Sequence, residues 1–515
     1  MIETVVEAAG VPRARQMLER AVWASRAYAR YDRATVRRIV DEVARVAEAK
    51  AEEYAEWAVR ETGFGVVEHK VVKNRLCSRG IVDTYRDEDL VTPRVDEPRR
   101  MVAVPRPAGV VLALTPSTNP VSTVYFKVLL ALMSRNAVVV SPHPIARECC
   151  ADAAQALGAA AVAAGAPDGI VQVVEEPSVP LVTALMNDER TDVILATGGV
   201  AMVRAAYCSG NPAIGVGPGN VPVLVDATAD LGRTAERLVD SKAFDNSVLC
   251  TNESVLVVED AVADRLLREM ARRGAYLCDD GERDRLRETV FPAGRFDTSL
   301  VGRAATDIAE RAGIRVPPRT RILLAPFDLV VDEEPLAHEK LCPVLGVVRV
   351  SSAARGIRTA SAVLRIGGAG HSAVVHSSDP GTVMAYAAAV PVLRVTVNEG
   401  GSTGSAGFGT HLAPSMTIGT GFVGRSSLGE NLQPRHLVNW TRIAYSDDPA
   451  TVMPAFDGRV PWAAPETAVP PYPEPSNASG APVSALRPAE PEDASALREE
   501  IRRMIIEELT TIVRG

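Results

Sequence analysis

The sequence lacks most of the features that would place the protein on a nucleic acid, on a membrane or in an oxidising compartment. Seven cysteines occur in 515 residues, at positions 77, 149, 150, 208, 250, 278 and 342. The count is odd, one pair is adjacent and no C-x-x-C occurs. That excludes a disulfide framework or a cysteine-based zinc site and fits a reducing cytoplasm. The seven histidines show neither H-x3-H nor H-E-x-x-H spacing, so no metal site is expected. Basic side chains are outnumbered, 56 Lys and Arg against 64 Asp and Glu, for a net charge of −8. A nucleic-acid partner or an anionic membrane surface would call for the opposite balance. The longest uncharged stretches, 107–126 and 205–225, are broken by Pro, Gly and small polar residues, so neither reads as a spanning helix. The opening Met-Ile-Glu-Thr-Val-Val-Glu has no basic start and no apolar core, so no secretory signal is expected. No internal repeat is present.

What remains is ordinary globular composition, 47% apolar and 23% charged, in a chain long enough for about three structural units. Residues 13–60 carry helical periodicity through Met17, Leu18, Val22, Val36, Ile39, Val43 and Val46. From Met101 onward the texture alternates. Apolar runs at 110–114, 136–140, 170–174 and 193–195 read as strands, with helical segments at 121–134 and 145–165 among them. A second such stretch over 226–425 contains strand candidates at 254–258, 320–324, 345–350 and 395–397. Strands and helices alternating at this rhythm predict right-handed βαβ units and parallel sheets, an α/β fold. The segment 400–429, dense in Gly, Ser and Thr, reads as loop. It contains Gly419-Thr-Gly-Phe-Val-Gly424, which matches G-x-G-x-x-G but lacks the strand before and helix after that a dinucleotide fingerprint needs.

The composition changes near 460. Nine prolines fall between Pro461 and Pro491, so 458–492 reads as an extended linker. Helical periodicity returns over 493–515, where Leu497, Ile501, Met504, Ile505, Leu509, Ile512 and Val513 line one face and charged residues the other.

One segment stands out chemically. In Ser241-Lys-Ala-Phe-Asp-Asn-Ser-Val-Leu-Cys-Thr251 a cysteine follows a polar turn at the edge of an apolar strand. Taken alone, Cys250 is either a buried structural thiol or a nucleophile. Six further segments share an order with it: Thr115-Pro-Ser-Thr-Asn-Pro120, Ser141-Pro-His-Pro144, Ala196-Thr-Gly-Gly199, Gly215-Val-Gly-Pro-Gly-Asn220, Glu339-Lys-Leu-Cys-Pro-Val344 and Gly367-Gly-Ala-Gly-His371. In this order and spacing, residues 10–445 resemble the aldehyde dehydrogenase superfamily, and within it the CoA-acylating branch.

The resemblance implies a Rossmann-like cofactor domain over 1–225, with an oligomerisation hairpin near 88–103. It also implies an α/β catalytic domain over 226–425 and a return to the oligomerisation arm over 426–457. The expected assembly is a homo-oligomer, dimer or tetramer. The resemblance implies that Cys250 is the nucleophile and that Asn119 and the Cys250 N–H hold the oxyanion, Thr118 replacing Asn119 if the loop register shifts by one. Thr197, Gly198 and Gly199, where a strand passes into a helix, are expected to face a pyrophosphate. Glu339 matches the residue that holds the ribose beside the nicotinamide, and Thr118 and Gly217 fall in the same cofactor-binding set. Ser141 and His143 replace the lysine that many family members carry after this strand, which leaves NAD or NADP open, with NAD preferred. His371 either assists the incoming thiol and the acyl group or packs on its glycines.

The branch turns on a missing residue. Hydrolytic members place a Glu, at the head of Glu-Leu-Gly-Gly, where this chain has Val216. Valine cannot deprotonate water, whose pKa is about 15.7. A thiol, with a pKa near 8.5, needs far less help. The expected reaction is therefore oxidation of a short-chain aldehyde to acyl-CoA, with coenzyme A as co-substrate. The alternatives are a hydrolytic enzyme yielding a free acid and a catalytically silent adaptor. The linker and helix at 493–515 resemble the encapsulation peptides that direct enzymes to the shell proteins of bacterial microcompartments. The other reading is a helix that docks on the enzyme's own subunits.

Overall fold

The computed structural model describes residues 10–462 and 469–473. One compact unit ends at Tyr472. The amphipathic segment 493–515 and most of the Pro-rich linker lie outside the described residues.

The N-terminal periodicity becomes three helices, Val11–Tyr28, Arg33–Ala49 and Ala51–Thr62. Asp32 starts the second by accepting a hydrogen bond from the Thr35 N–H, a side-chain cap worth about 1 kcal/mol. Val36, Ile39, Val40 and Val43 fall at helical spacing and are buried. They join a core built on a five-stranded sheet.

Fifteen strands occur among the described residues. A small antiparallel sheet has the order β1-β2-β15, with β1 at Arg94–Asp96, β2 at Met101–Pro107 and β15 at Val438–Ala444. It joins two segments far apart in sequence, with Val438 opposite Pro107 and Ala444 opposite Met101. The five-stranded sheet is parallel, in the order β5-β4-β3-β6-β7. Its strands are β3 Val110–Leu114, β4 Ala137–Ser141, β5 Val171–Val173, β6 Val193–Thr197 and β7 Ala213–Val216. Every residue of β3 and β4 is buried, which explains why they read as continuous apolar runs. Burying such a side chain stabilises by roughly 1.5–3 kcal/mol.

The chain runs outward through β3, β4 and β5, then returns to the other side of β3 for β6 and β7. The carboxyl ends of β3 and β6 therefore flank the point where strand order reverses, where open α/β sheets bind ligands. A lysine clasps that point. Lys127, the one charge in the otherwise uncharged helix Pro120–Met133, is fully buried and donates to the carbonyls of Leu114 (2.6 Å) and Leu195 (2.8 Å).

The seven-stranded sheet has the order β10-β11-β12-β9-β8-β13-β14 and is parallel throughout. Its strands are β8 Val221–Val225, β9 Glu253–Glu259, β10 Ala275–Leu277, β11 Ile322–Pro326, β12 Val344–Val350, β13 Ala373–His376 and β14 Val395–Val397. Alternate side chains serve two cores: Val255 and Val257 face one, Leu256 and Val258 the other.

One boundary moves. The expected division at 225 falls after β8, yet β8 pairs with β9 and β13. The chain changes sheets within 217–220, because β7 and β8 are both apolar and only the Gly-Pro-Gly between them breaks the run. These four residues also bring the carboxyl end of β7 next to the amino end of β8, so the two sheets meet with opposite polarity. No helix among the described residues is long and apolar enough to cross a membrane.

Candidate active site

The nucleophile candidate sits on a strained approach. The helix Leu231–Ala243 ends just ahead of Phe244, and Asp245, Asn246 and Ser247 then adopt φ of 50°, 51° and 66° in succession. Left-handed backbone costs a non-glycine residue of order 1–2 kcal/mol, so such a run persists only if its surroundings hold it. They do. Asp245 is fully buried and accepts from Val66 N–H (2.7 Å), from Lys70 Nζ (3.1 Å) and from Lys73 Nζ, while its own N–H donates to His69 Nδ1 (2.8 Å). Asn246 Nδ2 donates to the Gly302 carbonyl (2.9 Å). Ser247 donates to Asn252 Oδ1 (2.6 Å), and Asn252 Nδ2 returns to the carbonyls of Ser247 and Leu249. The loop that carries Cys250 is thus pinned on both sides.

Cys250 is half-buried. Burial and the Glu339 carboxylate push its thiol up to about 12, against the opposing pull of its own N–H and the Arg394 guanidinium. The resting side chain is therefore a thiol. Gly219 closes one side: a Cβ there would collide with the Cys250 carbonyl oxygen, so only glycine allows this approach. The Gly219 N–H donates to Glu339 Oε1 (3.1 Å). Burial raises the Glu339 carboxyl to about 8 despite that bond and the charges of Lys242 and Lys340. Cys250, Gly219 and Glu339 form one contiguous group, which the structure brings together from the turn before β9, the 217–220 crossover and the loop before β12.

Asn119 and Thr118 lie at the carboxyl end of β3. Asn119 precedes the helix Pro120–Met133 and is buried. Its Oδ1 accepts from Lys73 Nζ (2.6 Å) and its Nδ2 donates to Thr118 Oγ1 (3.2 Å). Through Lys73 and Asp245 it is tied to the turn that leads to Cys250.

His371 follows the glycine-rich 367–370 turn and is fully buried. Its Nδ1 meets Ser372 Oγ (2.9 Å), and its Nε2 has no partner among the described residues. Burial and Arg394 push its pKa down to about 3, so the ring is neutral. Arg394 is buried, donates to the carbonyls of His371 (2.8 Å), Gly370 (2.8 Å) and Gly419 (2.6 Å), and its charge acts on the Cys250 thiol.

The remaining candidates line the carboxyl edge of the five-stranded sheet, and none of their side chains bonds to the Cys250 group. Ser141 ends β4, its carbonyl accepting from the Thr115 N–H (3.1 Å). His143 spends its Nδ1 on the Ile145 N–H (3.2 Å), capping the turn Pro144–Ala146. Thr197 ends β6, with its Oγ1 3.4 Å from Thr417 Oγ1. Gly199 precedes the helix Val200–Tyr207 without a side-chain cap. A Cβ at Gly199 or at Gly217 would meet nothing within 4 Å, and one at Gly198 would only touch Met202 at 3.9 Å. Open space at the strand ends, beside uncapped helix N–H groups, fits a pyrophosphate-bearing nucleotide. Val216 is buried at the end of β7, paired with Thr197.

Three participants escaped the sequence reading. Lys70, Lys73 and Arg394 are buried cations in contact with the site. Lys70 and Lys73 share a face at i,i+3 spacing, but on a polar helix that spacing reads as a solvated stripe. Nothing in the sequence marks Arg394. Among the described residues, no group of three or more His, Cys, Asp and Glu is arranged to hold a metal ion.

Comparison with known proteins fits this geometry. The pattern of the aldehyde dehydrogenase family matches residues 3–285. The bifunctional aldehyde-alcohol dehydrogenase of Escherichia coli strain K12 is 38% identical over 434 residues, covering 83% of this chain and 49% of the relative. The chain thus spans about half the length of such bifunctional relatives. The succinate-semialdehyde dehydrogenase (acetylating) of Clostridium kluyveri is 34% identical, covering 86% of this chain and 98% of the relative. Among solved structures, an acetylating aldehyde dehydrogenase from Geobacillus thermoglucosidasius superposes with a TM-score of 0.83 at 36% identity, over 85% of this chain and 97% of its own. A propionaldehyde dehydrogenase from the Clostridium phytofermentans fucose utilisation bacterial microcompartment gives 0.76 at 28% identity, over 85% and 98%. The propionaldehyde dehydrogenase of Rhodopseudomonas palustris, solved with bound CoA and an acylated cysteine, gives 0.76 at 29%, over 84% and 97%.

Proposed function

Because the chain belongs to the aldehyde dehydrogenase family, we propose that it oxidises a short-chain aldehyde to an acyl-CoA through a thioester on Cys250. The observation that carries this reading is the pairing of a pinned, half-buried cysteine with valine, not glutamate, at position 216.

Each residue has a task. The Cys250 thiol gives up its proton to solvent, and the thiolate adds to the aldehyde carbon, forming a C–S bond and an alkoxide. The Cys250 N–H and the Asn119 amide are the donors for that oxyanion. Arg394 and the Cys250 N–H favour the thiolate, against burial and Glu339. A nicotinamide nucleotide, when bound, supplies the hydride acceptor. Gly198, Gly199, Gly217 and Thr197 would hold its phosphates, Glu339 the ribose, and Ser141 and His143 the adenosine end, with NAD preferred over NADP. The thioester then loses its acyl group to the thiolate of coenzyme A, which restores Cys250. Val216 offers no base for water, and the neutral His371 ring, whose Nε2 has no partner among the described residues, is assigned to orienting the acyl group rather than to taking the thiol's proton.

The test is NADH formation from propionaldehyde with and without coenzyme A. Strict dependence on coenzyme A supports the acylating reaction. Equal rates support hydrolysis to the free acid, and no rate with any aldehyde supports a silent adaptor.

Two further assignments belong to this reading. The free edge and exposed face of β15 suit pairing with a second copy of the chain, giving a dimer or tetramer. Residues 493–515 serve as a tether to a microcompartment shell protein, in keeping with the linker before them and with the compartment named for one solved relative. Fusing residues 485–515 to a fluorescent protein in a shell-producing cell tests the tether. Punctate signal supports it and diffuse signal overturns it.

A further inference from the structure

We propose that Lys73 is a positioning residue that acts through Asn119, holding its side-chain amide with Nδ2 turned outward to meet the oxygen of the aldehyde carried by Cys250. This rests on the roles given above to Cys250 and Asn119.

The orientation follows from donor chemistry. An ammonium has three donors and no acceptor. The Asn119 atom 2.6 Å from Lys73 Nζ must therefore be Oδ1. With Oδ1 held there, Nδ2 faces away, and its one contact is the long bond to Thr118 Oγ1 (3.2 Å). That bond can be exchanged for a stronger one to an oxyanion. A cation on the carbonyl end also draws charge from the amide and makes its N–H groups better donors.

Asn119 forgoes its ordinary use to be held this way. Asparagine ahead of a helix normally accepts from the N–H groups of the first turn. Here it precedes the helix Pro120–Met133 and makes no side-chain cap. A residue that gives up capping for a buried ammonium is serving something other than the helix.

Lys73 is itself constrained. It is fully buried on the helix Val67–Arg75 and pairs with Asp245 as well as with Asn119. Asp245 also takes Lys70, whose Nζ reaches the Thr118 carbonyl (3.2 Å). Asp245 opens the left-handed turn that leads to Cys250. One carboxylate and two lysines thus fix the distance between the nucleophile's loop and the amide donor.

The test is a double-mutant cycle in the full chain, with propionaldehyde, coenzyme A and NAD. Asn119→Ala should lower kcat about 100-fold, the scale for losing one oxyanion donor. Lys73→Met should lower kcat about tenfold or more with the aldehyde KM within about twofold, since a donor used only in the transition state leaves ground-state binding alone. The double variant should match Asn119→Ala, because Lys73 has nothing left to position. Alkylation of Cys250 by iodoacetamide should be unchanged in Lys73→Met. Multiplied losses in the double variant, or a Lys73→Met enzyme with full kcat, overturn the proposal. Full kcat in Asn119→Ala instead removes the underlying role of Asn119, so the two failures are distinct. Should Lys73→Met not fold, a crystal structure of the wild-type acyl-enzyme decides. Asn119 Oδ1 on Lys73 with Nδ2 on the thioester oxygen supports the proposal, and Lys73 parted from Asn119 overturns it.

Discussion

The two sheets contribute opposite kinds of surface to the site. The seven-stranded sheet presents its amino edge, crowded with charge: Asp245, Glu339 and Arg394, backed by Lys242, which donates to Asn252 Oδ1 (2.6 Å), and Lys340, which donates to the Leu336 carbonyl (2.7 Å). The five-stranded sheet presents its carboxyl edge, where Gly199 and Gly217 look onto open space. The difference follows from what each edge must do. A covalent nucleophile needs its electrostatic partners fixed before reaction, because reorganising them during reaction costs free energy. A dissociable nucleotide brings its own charge and finds backbone N–H groups and room. The first edge is therefore sensitive to any change of charge or contact, and the second only to added bulk.

Four changes sharpen or break this contrast. The largest effect is expected for Cys250→Ala, which should lower aldehyde oxidation by several powers of ten, with nucleotide binding retained in a fluorescence titration. Near-normal turnover would move the chemistry off the crowded edge altogether. Next, Gly219→Ala should cost about 100-fold in kcat, because its Cβ collides with the Cys250 carbonyl and displaces the nucleophile by a fraction of an ångström or more. Steady-state kinetics that match wild type would show that the approach of 217–220 to Cys250 does not matter.

Glu339→Gln should act through pH. The carboxyl titrates at about 8, so below that it is already neutral and the variant should alkylate with iodoacetamide at the wild-type rate. Above it, wild type carries a negative charge that holds the Cys250 thiol up, and the variant should react several-fold faster, since one pKa unit is tenfold in thiolate. A ratio that stays flat from pH 7 to 10 would uncouple the two residues. The smallest effect belongs to the open edge. Gly199→Ala adds a methyl group to empty space at an ordinary φ of −64°. The melting temperature should shift by only a degree or two, the scale for the roughly 1 kcal/mol by which Ala is a poorer helix N-cap than Gly. Nucleotide affinity should fall several-fold. A large thermal shift with unchanged affinity would reverse the assignment of this edge.

How much of this was legible beforehand varies by element. β3, β4, β6, β9 and β12 were readable because buried parallel strands are uninterrupted apolar runs. β7 and β8 were not, because the Pro and Gly that separate them made the whole 205–225 stretch look broken. β2 and β15 escaped as strands because their pairing is decided by residues more than 300 positions apart, although the family resemblance groups the segments near 88–103 and 426–457. In the site, Cys250, Asn119, Glu339 and His371 carried local motifs, whereas Arg394 and Lys73 carried none.

The sequence by itself determined the α/β alternation, the motif order and the residue types available for covalent chemistry, since periodicity and spacing are one-dimensional properties. The tertiary structure alone decided which charges lost their water. Lys73, Asp245, Glu339 and Arg394 read as ordinary charged residues along the chain, and only burial against specific partners turns them into a fixed field around Cys250. Desolvation depends on everything that packs around a group, and no window of neighbouring residues contains that information.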